Sequence, residues 1–192
     1  MGNRQTRVLA ALIFALTAST LDARAGEPTE QLRADIDALY RLALPPTGRT
    51  SAPARAIVDR MFDWAAIAEA SLRDHWQKRT AAEQAEFTRL FADLFARAYT
   101  SRIHLVDAES FQYVGDATTG DRSTVKTKVL TKRGSTIDVD YVMRATPERR
   151  WHVRDVRVET MSLVDNYRVQ FDTIIGRTSY EELVKRLRAA VK

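Results

Sequence analysis

Residues 151–171 constrain the fold most, because the spacing of their apolar side chains changes once, from that of a strand to that of a helix. The first half, WHVRDVRV, alternates apolar and polar residues with a change of phase near Asp155, as in a half-buried strand with a bulge. From Leu163 onward apolar residues recur every three or four positions, and Ser162 stands where a helix N-cap is expected. We therefore expect a strand that leads directly into an amphipathic helix, so that both contribute to one apolar interior.

Helical spacing also dominates the chain between residues 29 and 103. It predicts helices over residues 29–44, 53–61 and 63–72, the last capped by Asp63. A longer helix opens at Thr80, where Glu83 three residues later completes a capping box. Its broad apolar stripe, which includes Phe87, Leu90, Phe91, Leu94, Phe95, Ala98 and Tyr99, is long enough to cover a sheet.

From Ser110 the apolar period falls to two. Turn residues at 115–121, 132–135 and 146–148 separate four such segments into an antiparallel meander. After the helix that begins at Ser162, Gly176 indicates a helix end, and Thr178 with Glu181 predicts a capping box for a last helix. The order of elements predicts an α+β fold, a four-stranded antiparallel sheet packed against several helices.

Residues 1–25 resemble a secretory signal peptide, with basic residues at its start, an apolar run over 8–18 and the cleavage pattern Ala23-Arg24-Ala25. The run is too short for a permanent membrane-spanning helix, although an uncleaved anchor is the alternative. We expect residues 26–192 to form one exported domain. The chain has no cysteine, so its core must stabilise it without disulfides. Its formal net charge of +5 suits an anionic membrane surface or ligand, and no nucleic-acid recognition motif is present.

The sequence offers little for metal binding or catalysis. His75, His104 and His152 lack the spacing of a metal site, so none is predicted. Asp138 and Asp140 alternate along a strand, which favours a solvated sheet face balanced by the basic residues Lys126, Lys128 and Arg154.

Asp155 interrupts an apolar strand and keeps one enzymatic alternative open. It could act as a general base in a proton-transfer enzyme, with Tyr141 or Tyr167 as hydrogen-bond donor. The other interpretation is a structural carboxylate that pairs with Arg168 or caps a backbone turn, which is the usual role of a buried carboxylate.

The chain carries many large aromatic side chains for one thin layer. They indicate either an ordinary core or an apolar pocket between sheet and helices with Tyr and Arg at its mouth.

The segment W-x-V-x-D-V-x-V-E-x-x-S-L-V-x-N-Y-R-x-Q-F at 151–171 resembles the signature of the MlaC family, periplasmic phospholipid-binding proteins also called toluene-tolerance auxiliary components. Phe62-Asp63-Trp64, Trp76 and the segment TAAEQAEF at 80–87 agree in order and spacing. The resemblance covers roughly residues 55–190. Residues 49–54 depart from the pattern, as do residues 177–179, where the family more often has a glycine-containing turn.

The resemblance favours the pocket over the ordinary core. It implies a monomeric, non-enzymatic periplasmic carrier, without a cofactor, that binds a glycerophospholipid by its acyl chains. Its implied partners are an outer-membrane lipoprotein complex and an inner-membrane ABC transporter complex with a membrane-anchored substrate-binding subunit, as in systems that maintain outer-membrane lipid asymmetry. A hopanoid or sterol-related carrier is the alternative within this class. We expect lipid contacts from Phe91, Leu94, Phe95, Tyr99, Tyr141, Trp151, Val153, Tyr167, Arg168 and Phe171. Arg168 could bind the lipid phosphate or pair with an internal acid, either Asp155 or Asp165.

Overall fold

The computed structural model describes residues 26–42, 51–105 and 108–191, with the backbone alone at 99–105 and 108. The predicted signal peptide at 1–25 lies outside the described residues, as does most of the loop between the first two helices. The helices before the sheet are α1 (Glu27–Arg41), α2 (Ala52–Met61), α3 (Trp64–Leu72), a 3-10 helix (Arg73–Lys78) and α4 (Ala81–Leu105). The strands are β1 (Ala108–Thr119), β2 (Arg122–Thr131), β3 (Thr136–Ala145), β4 (Trp151–Val158) and β5 (Met161–Ser162), and the helices α5 (Leu163–Arg177) and α6 (Tyr180–Ala190) follow.

Polar side chains cap the helices at three predicted positions. Asp63 caps α3. The Thr80 amide donates to Oε2 of Glu83 at 2.7 Å and the Glu83 amide donates to Oγ1 of Thr80 at 3.3 Å, which confirms the capping box. Ser162 accepts a hydrogen bond from the Asp165 amide at 3.0 Å and confirms the start of α5. These caps satisfy amide groups that have no partner within their own helix.

The boundary between α5 and α6 differs from the prediction. The N-cap of α6 is Ser179, which accepts from the Glu182 amide at 3.2 Å, so the predicted pair of Thr178 and Glu181 is wrong by one residue. The Thr178 hydroxyl instead donates to a carbonyl of α5. Gly176 does not end α5, which continues for one more residue.

The sheet has the order β1-β2-β3-β4-β5, and each neighbouring pair is antiparallel. The α+β class and the four long strands are as predicted. The fifth strand, two residues long, was not predicted because it is too short to show a period. The predicted first turn is also wrong at its start, since β1 continues to Thr119 through an irregularity between Tyr113 and Gly115. Gly115 has a φ of 137°, which favours glycine there.

The predicted bulge near Asp155 is confirmed. Val142 lies opposite Asp155, and the next residue of β3, Met143, lies opposite Val153. Arg154 is therefore the extra residue of β4.

Among the described residues, α1 contacts β1 and β2, while α2, α3 and α5 contact β4, and α4 packs on α3 and α6. The largest side chains buried there include Leu32, Ile36, Leu39, Met61, Ile67, Leu72, Phe87, Leu90 and Phe91. On the other face Lys128 pairs with Asp138 at 2.6 Å, and Asp140 lies opposite Lys126 on β2 and Arg157 on β4. The predicted polar sheet face is thereby confirmed for Lys126 and Lys128, whereas the third predicted residue, Arg154, pairs with Asp63 at 2.8 Å instead.

Candidate functional site

Four aromatic rings from α4 and α5 meet in the interior. The ring centroids of Phe91 and Tyr167 are 4.9 Å apart, those of Phe91 and Phe171 are 5.1 Å apart, and those of Phe95 and Tyr167 are 6.1 Å apart. Four-residue spacing places Phe91 and Phe95 on one face of α4, and Tyr167 and Phe171 on one face of α5. The structure thus brings four of the predicted residues together, in edge and tilted contacts that aromatic pairs prefer.

Three more predicted residues belong to the sheet and are buried. Tyr141 of β3 and Val153 of β4 lie within the apolar core. Trp151 lies at the first position of β4, where its backbone amide and carbonyl are hydrogen-bonded by the side chain of Gln31 in the first half of α1. Trp151 therefore lies at the end of the sheet where β4 begins.

Burial of the apolar sheet face decreases along β3 and β4 toward the opposite end. On β4 the exposed fraction is 0% at Val153 and 2% at Val156, whereas Val158 is only half-buried. On β3 it is 2% at Met143 and 9% at Val139, whereas Ile137 is half-buried. We call the end with Ile137 and Val158 the open end, and the end with Trp151 the closed end.

Further half-buried apolar side chains surround the open end. Phe111 of β1 lies opposite Val129 of β2, which in turn lies opposite Ile137. Leu163 follows β5, which pairs with Val158. Phe111 and Leu163 are both half-buried and pack against the core. The apolar core is therefore less completely covered at the open end than at the closed end.

The remaining predicted residues lie at the margin of the interior or outside the described side chains. Leu94 of α4 is half-buried. The Tyr99 side chain lies outside the described residues. Arg168 pairs with Asp165 at 3.0 Å, and this carboxylate is 59% exposed, so it is a surface pair rather than a buried internal one.

The carboxylate of Asp155 serves the start of α5. Its Oδ1 accepts a hydrogen bond from the Val164 amide at 3.2 Å, and its Oδ2 lies 3.5 Å from Nε of Arg157. The predicted pairing with Arg168 is therefore wrong, and the capping role is confirmed. Together with Ser162, Asp155 caps the helix that carries Tyr167.

A polar cluster from α1 and β1 was not predicted from the sequence. The guanidinium carbon of Arg33 lies 4.8 Å from the ring centroid of Tyr113, and the Tyr40 ring meets Phe111 edge-on at 4.9 Å. Burial, with smaller effects of Asp37, Tyr141 and Tyr40, raises the pKa of Tyr113. Burial and Tyr141 raise the pKa of Tyr40 to about 12. Both phenols therefore keep their protons at neutral pH. The spacing of Arg33, Asp37 and Tyr40 along α1 was the available signal, because it places them on one helix face.

A separate groove of about 510 Å³ lies on the outside of the helices. It is lined by Arg55, Trp64, Ala65, Trp76, Ala81, Gln84, Ala85, Thr88, Arg89 and Ala92. None of the predicted lipid-binding residues lines this groove, so it is distinct from the interior described above.

Within the described part of the chain, no three acidic or histidine side chains are grouped so that they could hold a metal ion. No helix among the described residues combines the length and the apolar character needed to cross a membrane.

The sequence model of the MlaC protein family matches residues 46–189 of this chain. Among solved structures, the chain is similar to a phospholipid-binding protein from Ralstonia solanacearum in complex with a phospholipid, with a TM-score of 0.72. The two sequences are 19% identical, and the alignment covers 86% of this chain and 97% of the other. At this identity the likeness shows a shared fold. A search of curated proteins gave no significant match.

Proposed function

Because the chain belongs to the MlaC protein family, we propose that it is a periplasmic carrier that binds a glycerophospholipid by its acyl chains. The observation that carries this proposal is an apolar core whose burial decreases toward the open end, in a fold shared with a phospholipid-binding protein. Each buried acyl methylene contributes about 0.8 kcal/mol, so a two-chain lipid does not leave a bilayer unaided at a useful rate. An apolar interior that takes the chains and leaves the head group in water removes this barrier.

Acyl chains that enter at the open end would pass Val158, Ile137 and Leu163 and reach the four aromatic rings. In the described structure these rings contact one another, so bound chains must replace ring contacts with chain contacts. An aromatic pair contributes about 0.5–1.5 kcal/mol beyond the burial of its area. The free energy lost with a few such contacts is smaller than the free energy gained by burying two long acyl chains, so lipid binding remains favourable.

Head-group recognition follows from the same placement. If the chains occupy the interior, the phosphate lies at its margin, where Arg168 is partly exposed and, among the described residues, pairs with the solvent-exposed carboxylate of Asp165. The Arg168 guanidinium can leave this carboxylate and bind a phosphate at little cost in free energy, because exposed ion pairs contribute little to stability. We place Arg168 at the phosphate and expect weak selectivity among head groups.

In the proposed cycle the carrier is a monomer that moves through the periplasm after residues 1–25 are removed. It would exchange lipid with an outer-membrane lipoprotein complex on one side and with an inner-membrane ABC transporter complex on the other. Support for this setting comes from the family to which the chain belongs.

The proposal is tested with bulky substitutions at the open end. In Val158→Trp and Ile137→Trp the added ring volume should obstruct the entry of acyl chains, so lipid phosphorus per protein and lipid transfer between vesicles should both fall severalfold. Overpacking costs about 1–3 kcal/mol, so unfolding in urea is measured in parallel to show that the variants remain folded.

The matched control is Val169→Trp, since Val169 is 63% exposed on the outer side of α5. It should retain lipid and transfer activity. Folded open-end variants that carry as much lipid as the control would contradict the proposal. If the purified protein contained a polycyclic lipid instead of a glycerophospholipid, the carrier function would stand but the proposed ligand class would be wrong.

A further inference from the structure

Two hydrogen-bond donors near the open end are buried without partners among the described residues. They are the hydroxyl of Tyr113 and Nε of Arg33. The Arg33 guanidinium lies over the Tyr113 ring, with its central carbon 4.8 Å from the ring centroid, so the two residues pack against each other between α1 and β1, although the Arg33 side chain as a whole is 40% exposed. Buried donors in native proteins nearly always have an acceptor, and two unpaired donors side by side indicate that an acceptor from a ligand belongs there.

The Tyr113 and Arg33 pair lies near the open end of the apolar interior. Tyr113 lies opposite Thr127 of β2, and Thr127 lies opposite Val139 of β3, so all three belong to the apolar face of the sheet. Two residues before Tyr113, Phe111 is one of the half-buried side chains of the open end. The unpaired donors are therefore close to where the polar end of a lipid would lie when its chains point toward the closed end.

The charges around the pair favour a neutral acceptor over an anion. Arg33 pairs with Glu30 at 3.4 Å, and Asp37, one turn along α1, lies near enough to Tyr113 to contribute to the rise of its pKa. The single guanidinium is thus offset by two carboxylates, and a phosphate would gain little from it. A carbonyl oxygen has two lone pairs, and it can accept from a phenol and from a guanidinium at once.

We propose that Tyr113 and Arg33 form a polar subsite that binds an acyl-ester carbonyl of the lipid's glycerol backbone. The proposal rests on the proposed function and makes it more specific. The subsite would fix the depth at which the glycerol backbone stops, with the acyl chains inside and the phosphate outside. It predicts that the carrier distinguishes ester-linked from ether-linked lipids, which have the same chains and head group but differ in these carbonyls.

The test compares two phosphatidylglycerols with equal chain lengths, one with ester and one with ether linkages. Each displaces a fluorescent phospholipid from the delipidated full-length mature protein. Because one or two net hydrogen bonds are at stake, the ester lipid should bind roughly five- to thirtyfold more tightly. In Tyr113→Phe, which removes one of the two donors, this ratio should fall by about fivefold through weaker binding of the ester lipid alone.

The control is Tyr180→Phe, which removes another buried phenol with a pKa raised to about 12. Its hydroxyl already donates to the Glu83 carbonyl at 3.1 Å, near the start of α4, so the variant should keep the wild-type ratio. Equal affinity of the wild type for both lipids would overturn the subsite and leave the carrier function intact. Equal weakening of both lipids in Tyr113→Phe would also overturn it, since it would indicate a contact with phosphate or chains. Failure of the wild type to bind either lipid would overturn the carrier function, and the subsite with it.

Discussion

The buried hydroxyls of Tyr180 and Tyr113 differ in whether they have a hydrogen-bond acceptor. Tyr180 donates to the Glu83 carbonyl at 3.1 Å, whereas Tyr113 has no partner among the described residues. Tyr180→Phe should therefore lower the free energy of unfolding by about 1 kcal/mol, while Tyr113→Phe should leave it unchanged or raise it slightly. Urea unfolding of the lipid-free protein measures both. A loss at Tyr113→Phe as large as at Tyr180→Phe would show that Tyr113 already has an acceptor in the empty protein.

The side chain of Asp116 on the edge strand β1 is hydrogen-bonded to the start of α1. Its carboxylate accepts hydrogen bonds from the Gly26 amide at 2.8 Å, from Oγ1 of Thr29 at 2.6 Å and from Oγ1 of Thr118 at 2.7 Å. Burial acts to raise the pKa of Asp116, but these three hydrogen bonds outweigh it and lower the pKa.

A lowered pKa in the folded state gives a definite dependence of stability on pH. The carboxylate of Asp116 contributes stability above its unfolded pKa of about 3.9, and this contribution is lost as the pH falls through the lower folded value. Asp116→Asn should reduce the melting temperature at pH 7 and should lose less further stability between pH 4 and pH 2 than the wild type. Parallel acid titrations of the two proteins, followed by circular dichroism, check this. An equal loss of stability with falling pH in both proteins would show that Asp116 does not contribute to the pH dependence.

At the scale of elements, local hydrogen bonds made some boundaries predictable from the sequence. The capping box of Thr80 and Glu83 and the cap at Ser162 involve residues at most three apart, so the sequence alone indicates them. At the start of α6, Thr178 and Ser179 each have a glutamate three residues later, and local pattern does not choose between them. The observed cap at Ser179 places Tyr180 where it reaches Glu83, a contact across the fold.

The candidate site also contains some contacts that the sequence predicts and others that it does not. Helical spacing was sufficient to predict that Phe91, Phe95, Tyr167 and Phe171 face one interior, and their ring contacts agree. The contact between Arg33 and Tyr113 joins residues far apart in the chain, and no periodicity indicates it. The open end was also not predictable, because half-burial of Ile137 and Val158 depends on which helices cover the sheet.

The double cap of α5 yields a prediction for this element. Asp155 and Ser162 each accept one amide at the first turn of the helix that carries Tyr167 and Phe171. Ser162→Ala and Asp155→Ala should each lower the free energy of unfolding by about 1–2 kcal/mol. Arg168→Ala is the control on the same helix and should cost less than about 0.5 kcal/mol, because its pair with Asp165 is exposed. A cost at Arg168→Ala equal to that of the caps would mean that Arg168 has a buried partner.

At the scale of the molecule, helices pack on one face of a sheet, and the burial of that face decreases from the closed end to the open end. The chain has no cysteine, so this apolar core both stabilises the fold and provides the space proposed for the ligand. The same side chains pack against one another in the core and would have to separate to accommodate a ligand. We therefore expect bound lipid to raise the melting temperature, since a ligand that binds only the folded state stabilises it.

Native mass spectrometry of the protein purified from its own cell envelope without detergent would detect a bound lipid directly. We expect a folded monomer whose mass exceeds that of residues 26–192 by one glycerophospholipid, which is released as an intact lipid on activation. A folded protein that shows only the mass of the polypeptide, and that stays lipid-free after incubation with phospholipid vesicles, would contradict this expectation.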